Sequence, residues 1–150
     1  MRAPLSLILL TAATLGAGDL RAPQVGYFGD RDGMLRPVFG LGGNFIVGDP
    51  AAQGVRSAAF SGGFGLVHAG NELFLVNSAL ELLSRAALPA SEALLAISAD
   101  GRSASAYLTE TEELCHFAPS RAWELSCHPL HSEGVVHSIG VASGPFTSLA

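Results

Sequence analysis

Two cysteines and five histidines hold most of the chemistry this chain could perform. Cys115 and Cys127 lie on consecutive strand-like runs, EELCHFA and WELSCH, with Ala118-Pro119-Ser120-Arg121-Ala122 as the connecting loop. The midpoint between them is residue 121, inside that loop, so a simple hairpin sets both side chains opposite each other on one face. In an exported protein an even pair so placed invites a disulfide. Closing a loop of this length stabilises by about 2–3 kcal/mol in the chain-entropy model. A register slip of one residue would instead leave two reduced thiols apart.

His116 and His128 each follow a cysteine, which suggests a four-ligand metal centre. Strand alternation defeats it: His116 points to the face opposite Cys115, and four ligands cannot converge on one tetrahedral ion. His128, His131 and His137 form a looser set, with His128-Pro129-Leu130-His131 able to bracket an ion across a loop; solvated loop histidines are the default reading. Glu110, Glu112 and Glu113 are oxygen ligands of the kind calcium takes, but they read better as a charged turn between strands. Ser61, in Ala59-Phe60-Ser61-Gly62-Gly63, lacks the first glycine of a G-x-S-x-G elbow, and Ser143 sits one place late in Gly140-Val141-Ala142-Ser143-Gly144. The glycines at 40, 42 and 43 are not followed by a helix whose amides could face a phosphate, so they read as a turn or bulge. No catalytic, metal or cofactor residue is therefore assigned, and the Cys115–Cys127 bridge is the one site expected.

The elements that carry these residues are short strands separated by turns. Residues 24–29 and 34–39 form a hairpin around Asp30-Arg31-Asp32-Gly33, where Gly33 supplies the positive φ of a tight loop. Pro37 cannot donate to a ladder and places its strand at a sheet edge. Runs at 56–61, 64–69, 72–77 and 80–88 follow, punctuated by Gly62-Gly63 and Gly70-Asn71. Residues 93–128 repeat the plan with EALLAIS, SASAYLT, EELCHFA and WELSCH. A helix over 79–93 is the competing reading, from loosely helical leucine spacing.

The two four-run units are related. Phe60-Ser61 answers Ile97-Ser98 at an offset of 37 residues, and Glu81-Leu82 answers Glu124-Leu125 at 43. A third copy begins at Val135, where Ile139 answers Ile97 at 42. Self-similarity near forty residues with four strands per copy is the mark of propeller blades. The first run of each copy is nearly all apolar or small, as expected of an innermost strand buried on both faces. The expected fold is all-β: antiparallel four-stranded blade-like repeats, a partial β-propeller. Its domain spans 22–150, with an N-terminal hairpin at 23–43, blades at 56–88 and 93–128, and a partial blade at 134–150. The entering hairpin resembles outer strands and the last segment an inner strand, the two halves of one split blade. Closed rings have 4–8 blades, so the count implies a truncated piece, associating copies, or an open sheet.

PQVGYFGDRDGMLRPVFGLGG, residues 23–43, resembles the opening of a group of uncharacterised secreted bacterial proteins with propeller-like repeats. ALLAISADGRSASAYL, residues 93–108, resembles the SPDGR turn of WD-repeat-like and lactonase-like propellers, with Ala99 where proline is usual. The likeness covers about half the chain. It implies a propeller fold and export; the group carries no established activity, so no catalytic residue is carried over.

Composition agrees with a packed, turn-rich domain. Only 14% of residues are charged and 49% are hydrophobic, with 18 glycines, which excludes a disordered chain and disfavours a helical bundle. A net charge of −5, with eight scattered arginines and no lysine, excludes a nucleic-acid surface. Met1-Arg2, the apolar run 3–15 and the small residues Gly16-Ala17-Gly18 read as a signal peptide over 1–18, with an uncleaved anchor as the alternative. No later stretch is a membrane candidate. The expected location is secreted or periplasmic. The expected role is non-catalytic binding or scaffolding, with no cofactor and an unknown partner; self-association to complete a ring is one option. The alternative is the N-terminal part of a propeller hydrolase or lactonase-type enzyme whose site lies outside this chain.

Overall fold

The computed structural model describes residues 22–88, 92–118, 122–130 and 134–141. Eleven strands and no helix occur among them, in three antiparallel sheets. The first holds β1 (Gln24–Gly29), β2 (Leu35–Leu41) and β3 (Asn44–Val47). The second holds β4 (Val55–Ser61), β5 (Phe64–Ala69), β6 (Glu72–Asn77) and β7 (Leu82–Ala87). The third holds β8 (Ala93–Ile97), β9 (Ala104–Leu108), β10 (Glu113–Ala118) and β11 (Ala122–Pro129). Each sheet runs in simple up-and-down order, so the fold is all-β with blade-like four-stranded units. The helix considered over 79–93 does not form: β7 occupies Leu82–Ala87, and residues 89–91 lie outside the described set.

Local chemistry sets the turns. Gly62 and Gly63 close the β4–β5 hairpin at φ 58° and 89°, a region that costs a side chain strain. Between β8 and β9, Asp100 Oδ1 accepts from the Ser98 hydroxyl (2.6 Å) and from the Arg102 N–H (3.0 Å). The Ser98 Oγ in turn accepts from the Ser103 N–H at 3.0 Å, so one turn satisfies its own polar groups.

The second sheet is sandwiched. On one face Leu66, Leu73 and Leu75 pack with Ala93, Ile97, Ala104, Ala106 and Phe117 of the third sheet, sealed by Leu88. On the other, Val67 and Val76 pack with Leu35, Tyr27 and Phe60 towards the first sheet. Full burial of one such leucine is worth about 1.5–3 kcal/mol, so these two layers fix the stacking. Tyr27 stacks on Phe60 with centroids 4.6 Å apart, and its hydroxyl donates to the Ser78 carbonyl at 2.8 Å.

Two expectations about position are corrected. β2, which carries Pro37, is the centre of the first sheet and not an edge. Pro37 sits one residue past the Val38↔Val47 rung, and its carbonyl accepts the Gly48 N–H at 2.8 Å. A residue's N–H and C=O point to the same side of a strand, so the missing donor faces the end of β3 and breaks no rung. Burial of the first strand on both faces holds for β8, where Ala93, Ala96 and Ile97 are buried, but not for β4. Arg56 and Ala58 of β4 are exposed, whereas the four central residues of β5 and the first four of β9 are buried. The second strand has a strand on either side; the first has one open edge.

Residues 134–141 carry no strand, although the repeat phase places one at Val135. Residues 142–150 of the expected partial blade, and the expected signal peptide at 1–18, lie outside the described residues. Among the described residues no helix is long and apolar enough to cross a membrane.

Candidate binding cleft and the buried Ser57–His68 pair

Strand ends from all three sheets meet at one place. A cleft of about 530 Å³ is lined by Asp30, Arg31, Arg56, Ser57, Glu92 and Thr109 with their neighbours. Asp30 and Arg31 come from the β1–β2 turn, Arg56 and Ser57 from the start of β4, and Glu92 and Thr109 from the ends of β8 and β9. Asp30 is fixed: its Oδ1 accepts from the N–H groups of Met34 (2.9 Å) and Asp32 (3.0 Å), and its Oδ2 from Arg36 Nε (3.2 Å). The Met34 amide foremost, helped by Arg36, holds its carboxyl below the ordinary 3.8. Thr109 donates both its N–H (3.4 Å) and its hydroxyl (3.3 Å) to the Glu92 carbonyl, which sets the far wall. Arg31 and Glu92, both exposed, make no ion pair among the described residues.

Behind this cleft lies a pair the sequence reading missed. His68 is fully buried, and neither ring nitrogen has a hydrogen-bond partner. Ser57, directly opposite it across the β4–β5 ladder, has a buried hydroxyl that is likewise unpartnered. Alternation puts His68 on the Leu66 face of β5, between the second and third sheets. Burial pushes its pKa below the ordinary 6.5, and the Arg56 charge acts in the same direction. The Leu88 and Gly70 backbone groups act in the opposite sense without reaching hydrogen-bond geometry. A signal was present: in FGLVHAG the imidazole takes an apolar core position of an otherwise apolar strand.

The residues singled out from sequence do not converge. Cys115 and Cys127 are directly paired on β10 and β11 and joined by a disulfide, with Cα atoms 3.9 Å apart. Cys115 is fully buried. His116, one residue on, faces the other side and shares a 2.7 Å hydrogen bond with the Ser105 hydroxyl. His128 is exposed and hydrogen-bonded to Ser126 at 3.1 Å; His137 is exposed; His131 and Ser143 lie outside the described residues. Glu110 and Glu112 lie in the β9–β10 turn and Glu113 opens β10, with Oε2 accepting from the Thr111 hydroxyl at 2.9 Å. Among the described residues no group of His, Cys, Asp and Glu is arranged to hold a metal. Ser61 ends β4, and β3 follows the Gly42-Gly43 turn, so a strand stands where a phosphate loop would need a helix.

No family model, curated protein or solved structure matches the chain.

Proposed function

We propose that this chain is an exported, propeller-type binding scaffold, non-catalytic, whose ligand site is the cleft where the three sheets meet. The observation that carries the reading is the cleft lining: charged and polar side chains from three sheets, with Arg31 and Glu92 left without ion-pair partners among the described residues. Loops at the ends of rigid strands are where binding residues concentrate. A small polar molecule carrying both a carboxylate and an ammonium group complements these two walls. The disulfide supports an oxidising location, periplasmic or extracellular.

The alternative, the N-terminal part of a propeller hydrolase or lactonase-type enzyme, places its active site outside this chain. Ser57 and His68 do not supply one within it: a nucleophile needs its base within hydrogen-bond reach, and the Ser57 hydroxyl makes no bond to the imidazole.

The test is calorimetric titration with zwitterionic, anionic and cationic small molecules, on the native chain and on Arg31→Ala and Glu92→Ala. Binding of a zwitterion that falls at least tenfold in each variant supports the cleft. Binding unchanged in both variants, or no binding to any class, overturns it. Export is checked by expressing the chain with its own N-terminus in a bacterium. A cytoplasmic product with two free thiols would contradict the location.

A further inference from the structure

We infer that two copies of this chain close one six-bladed ring, each lending the segment Val135 to Val141 as the innermost strand of the other's first sheet. The inference rests on the propeller-type reading of the sheets. It is tested by mass and strand protection, so its failure is distinguishable from failure of the cleft.

The first sheet lacks an inner strand. In the second and third sheets the innermost strands, β4 and β8, run parallel: the starts of both line one cleft, and the turns that follow them also meet, at Gly62 and Ala99. β1 runs the other way. Its beginning lies beside the end of β4, around Phe60 and Gly63, and its end beside Val55, whose N–H donates to the Gly33 carbonyl at 3.0 Å. β1 therefore has the direction of the second strands β5 and β9, and it lies against β4 as β5 lies against β8. β3 completes the match, being exposed throughout like most of β7 and the later part of β11. The first sheet is strands two, three and four of a blade.

The place of strand one is open. Among the described residues β1 is hydrogen-bonded to β2 alone, and none of its six residues is buried, in contrast to β5 and β9. Two clefts, of about 540 and 320 Å³, run end to end along β1 and β4 and share Tyr27 and Phe60. An unpaired strand edge beside an open groove is a template for another strand.

The chain also holds a strand without a sheet. Val135-Val136-His137-Ser138-Ile139-Gly140-Val141 has strand composition, carries no regular structure and exposes Val135 to 79%. Five residues separate β7 from β8, and five separate β11 from Val135, so the segment arrives with the phase of an inner strand. Val135, His137 and Ile139 alternate as Ala93, Leu95 and Ile97 do. Its seven residues match the seven of β4. In sequence it follows the third sheet, whereas the open place is in the first.

The sheet count suits a second copy. The described residues of one chain bring three sheets, and closed rings have 4–8 blades. Two chains bring six, related by a two-fold axis, with both open sites filled and both lone strands used. An equal exchange fills the open place beside both copies of β1.

The test uses the oxidised chain after signal removal, by light scattering and hydrogen exchange. The expected mass is twice that of one chain, with amides of residues 135–141 and of β1 protected. Val136→Pro and Ser138→Pro each remove a donor from a segment that has no ladder within the chain. Each is expected to give a folded monomer with the disulfide intact and those amides at least tenfold less protected. A labelled peptide of residues 134–141 should then bind the Val136→Pro monomer and protect β1. A native chain that is monomeric at high concentration, a dimer unchanged by both prolines, or open oligomers beyond two would overturn the inference; the first of these points to further blades in a longer chain as the occupant.

Discussion

Replacing His68 by leucine should make the protein more stable, because the imidazole is buried with a partner for neither nitrogen. It sits at 0% exposure with both nitrogens unpartnered, beside Leu66 and opposite Leu73. A buried polar group without a partner costs about 1–3 kcal/mol. Leucine has a similar volume and suits the apolar layer already there, so the change adds little packing strain. The expected gain for His68→Leu is about 1–3 kcal/mol at pH 8, or roughly 3 °C of melting temperature for each kcal/mol in a chain of this size.

The same variant carries a pH signature with a definite sign. His68 in the folded state has its pKa below 6.5, so below pH 6.5 the unfolded chain binds a proton that the folded chain refuses. Stability of the native protein therefore falls as the pH drops through 6.5 towards the folded value, by at most about 1.4 kcal/mol per pH unit for one such group. Above pH 6.5 both states are neutral at this position and the effect vanishes. Urea unfolding of native protein and His68→Leu at pH 8, 6.5 and 5.5 measures the difference. The gap should be smallest at pH 8 and widen on acidification. A variant less stable than native at pH 8 would show that the ring has a partner, and a gap constant with pH would refute the burial argument.

Reduction of Cys115–Cys127, or Cys127→Ala with Cys115→Ala, should cost about 2–3 kcal/mol in denaturant melts, since the bridge closes a separation of 12 residues; two titratable thiols in unfolded, unreduced protein would exclude the bridge. Gly62→Ala should destabilise by more than about 2 kcal/mol and Gly63→Ala by roughly 1, because both have positive φ but only at Gly62 does a Cβ meet the Ala99 backbone; equal melting temperatures for the two would contradict this close approach between sheets. The carboxyls of Asp30 and Asp100 are held below 3.8, Asp100 chiefly by the Ser98 hydroxyl, so their contribution is present above pH 3.8 and lost as the pH falls through their folded values. Asp100→Asn should flatten the acid limb of the stability profile below pH 4 and leave the limb near pH 6 unchanged.

Strand identity was legible wherever glycine punctuation and alternation agreed. The β4–β5, β5–β6 and β8–β9 hairpins follow that rule, with glycines at 62, 63, 70 and 101, whereas β7 lacks such punctuation and competed with a helix. The hairpin midpoint pointed to the Cys115↔Cys127 pairing, which the structure reaches through a register shift between His116 and Ala118. Position within a sheet was harder to read. Pro37 suggests an edge because sequence does not reveal that its absent N–H faces the end of a short neighbour. Small residues in β4 suggest double burial because Ala and Ser suit a crowded layer and an open edge equally well. The cleft was not legible at all: Arg31, Ser57 and Glu92 are far apart in sequence, and only the stacking of three sheets brings them together. His68 was overlooked for a different reason. Its neighbours Val67 and Ala69 are ordinary, and an unsatisfied ring is a property of the packed state.

The exposure of β1 and the lack of structure at residues 134–141 have one physical explanation. A strand of seven residues gains little from its own backbone, because each amide it withdraws from water must find a partner in a ladder. Among the described residues Val135 to Val141 has none, and β1 keeps one side without a strand. Neither segment is a poor strand former; Tyr27, Phe28, Val135, Val136 and Ile139 are all types that favour strands. On the two-copy reading, what is missing for each is the other. The Tyr27–Phe60 stack shows that the first sheet is already seated against the second, so an incoming strand meets a formed groove and orders only itself. Association of this kind loses the conformational entropy of one short segment per site, which makes exchange between two copies the less costly way to satisfy both edges.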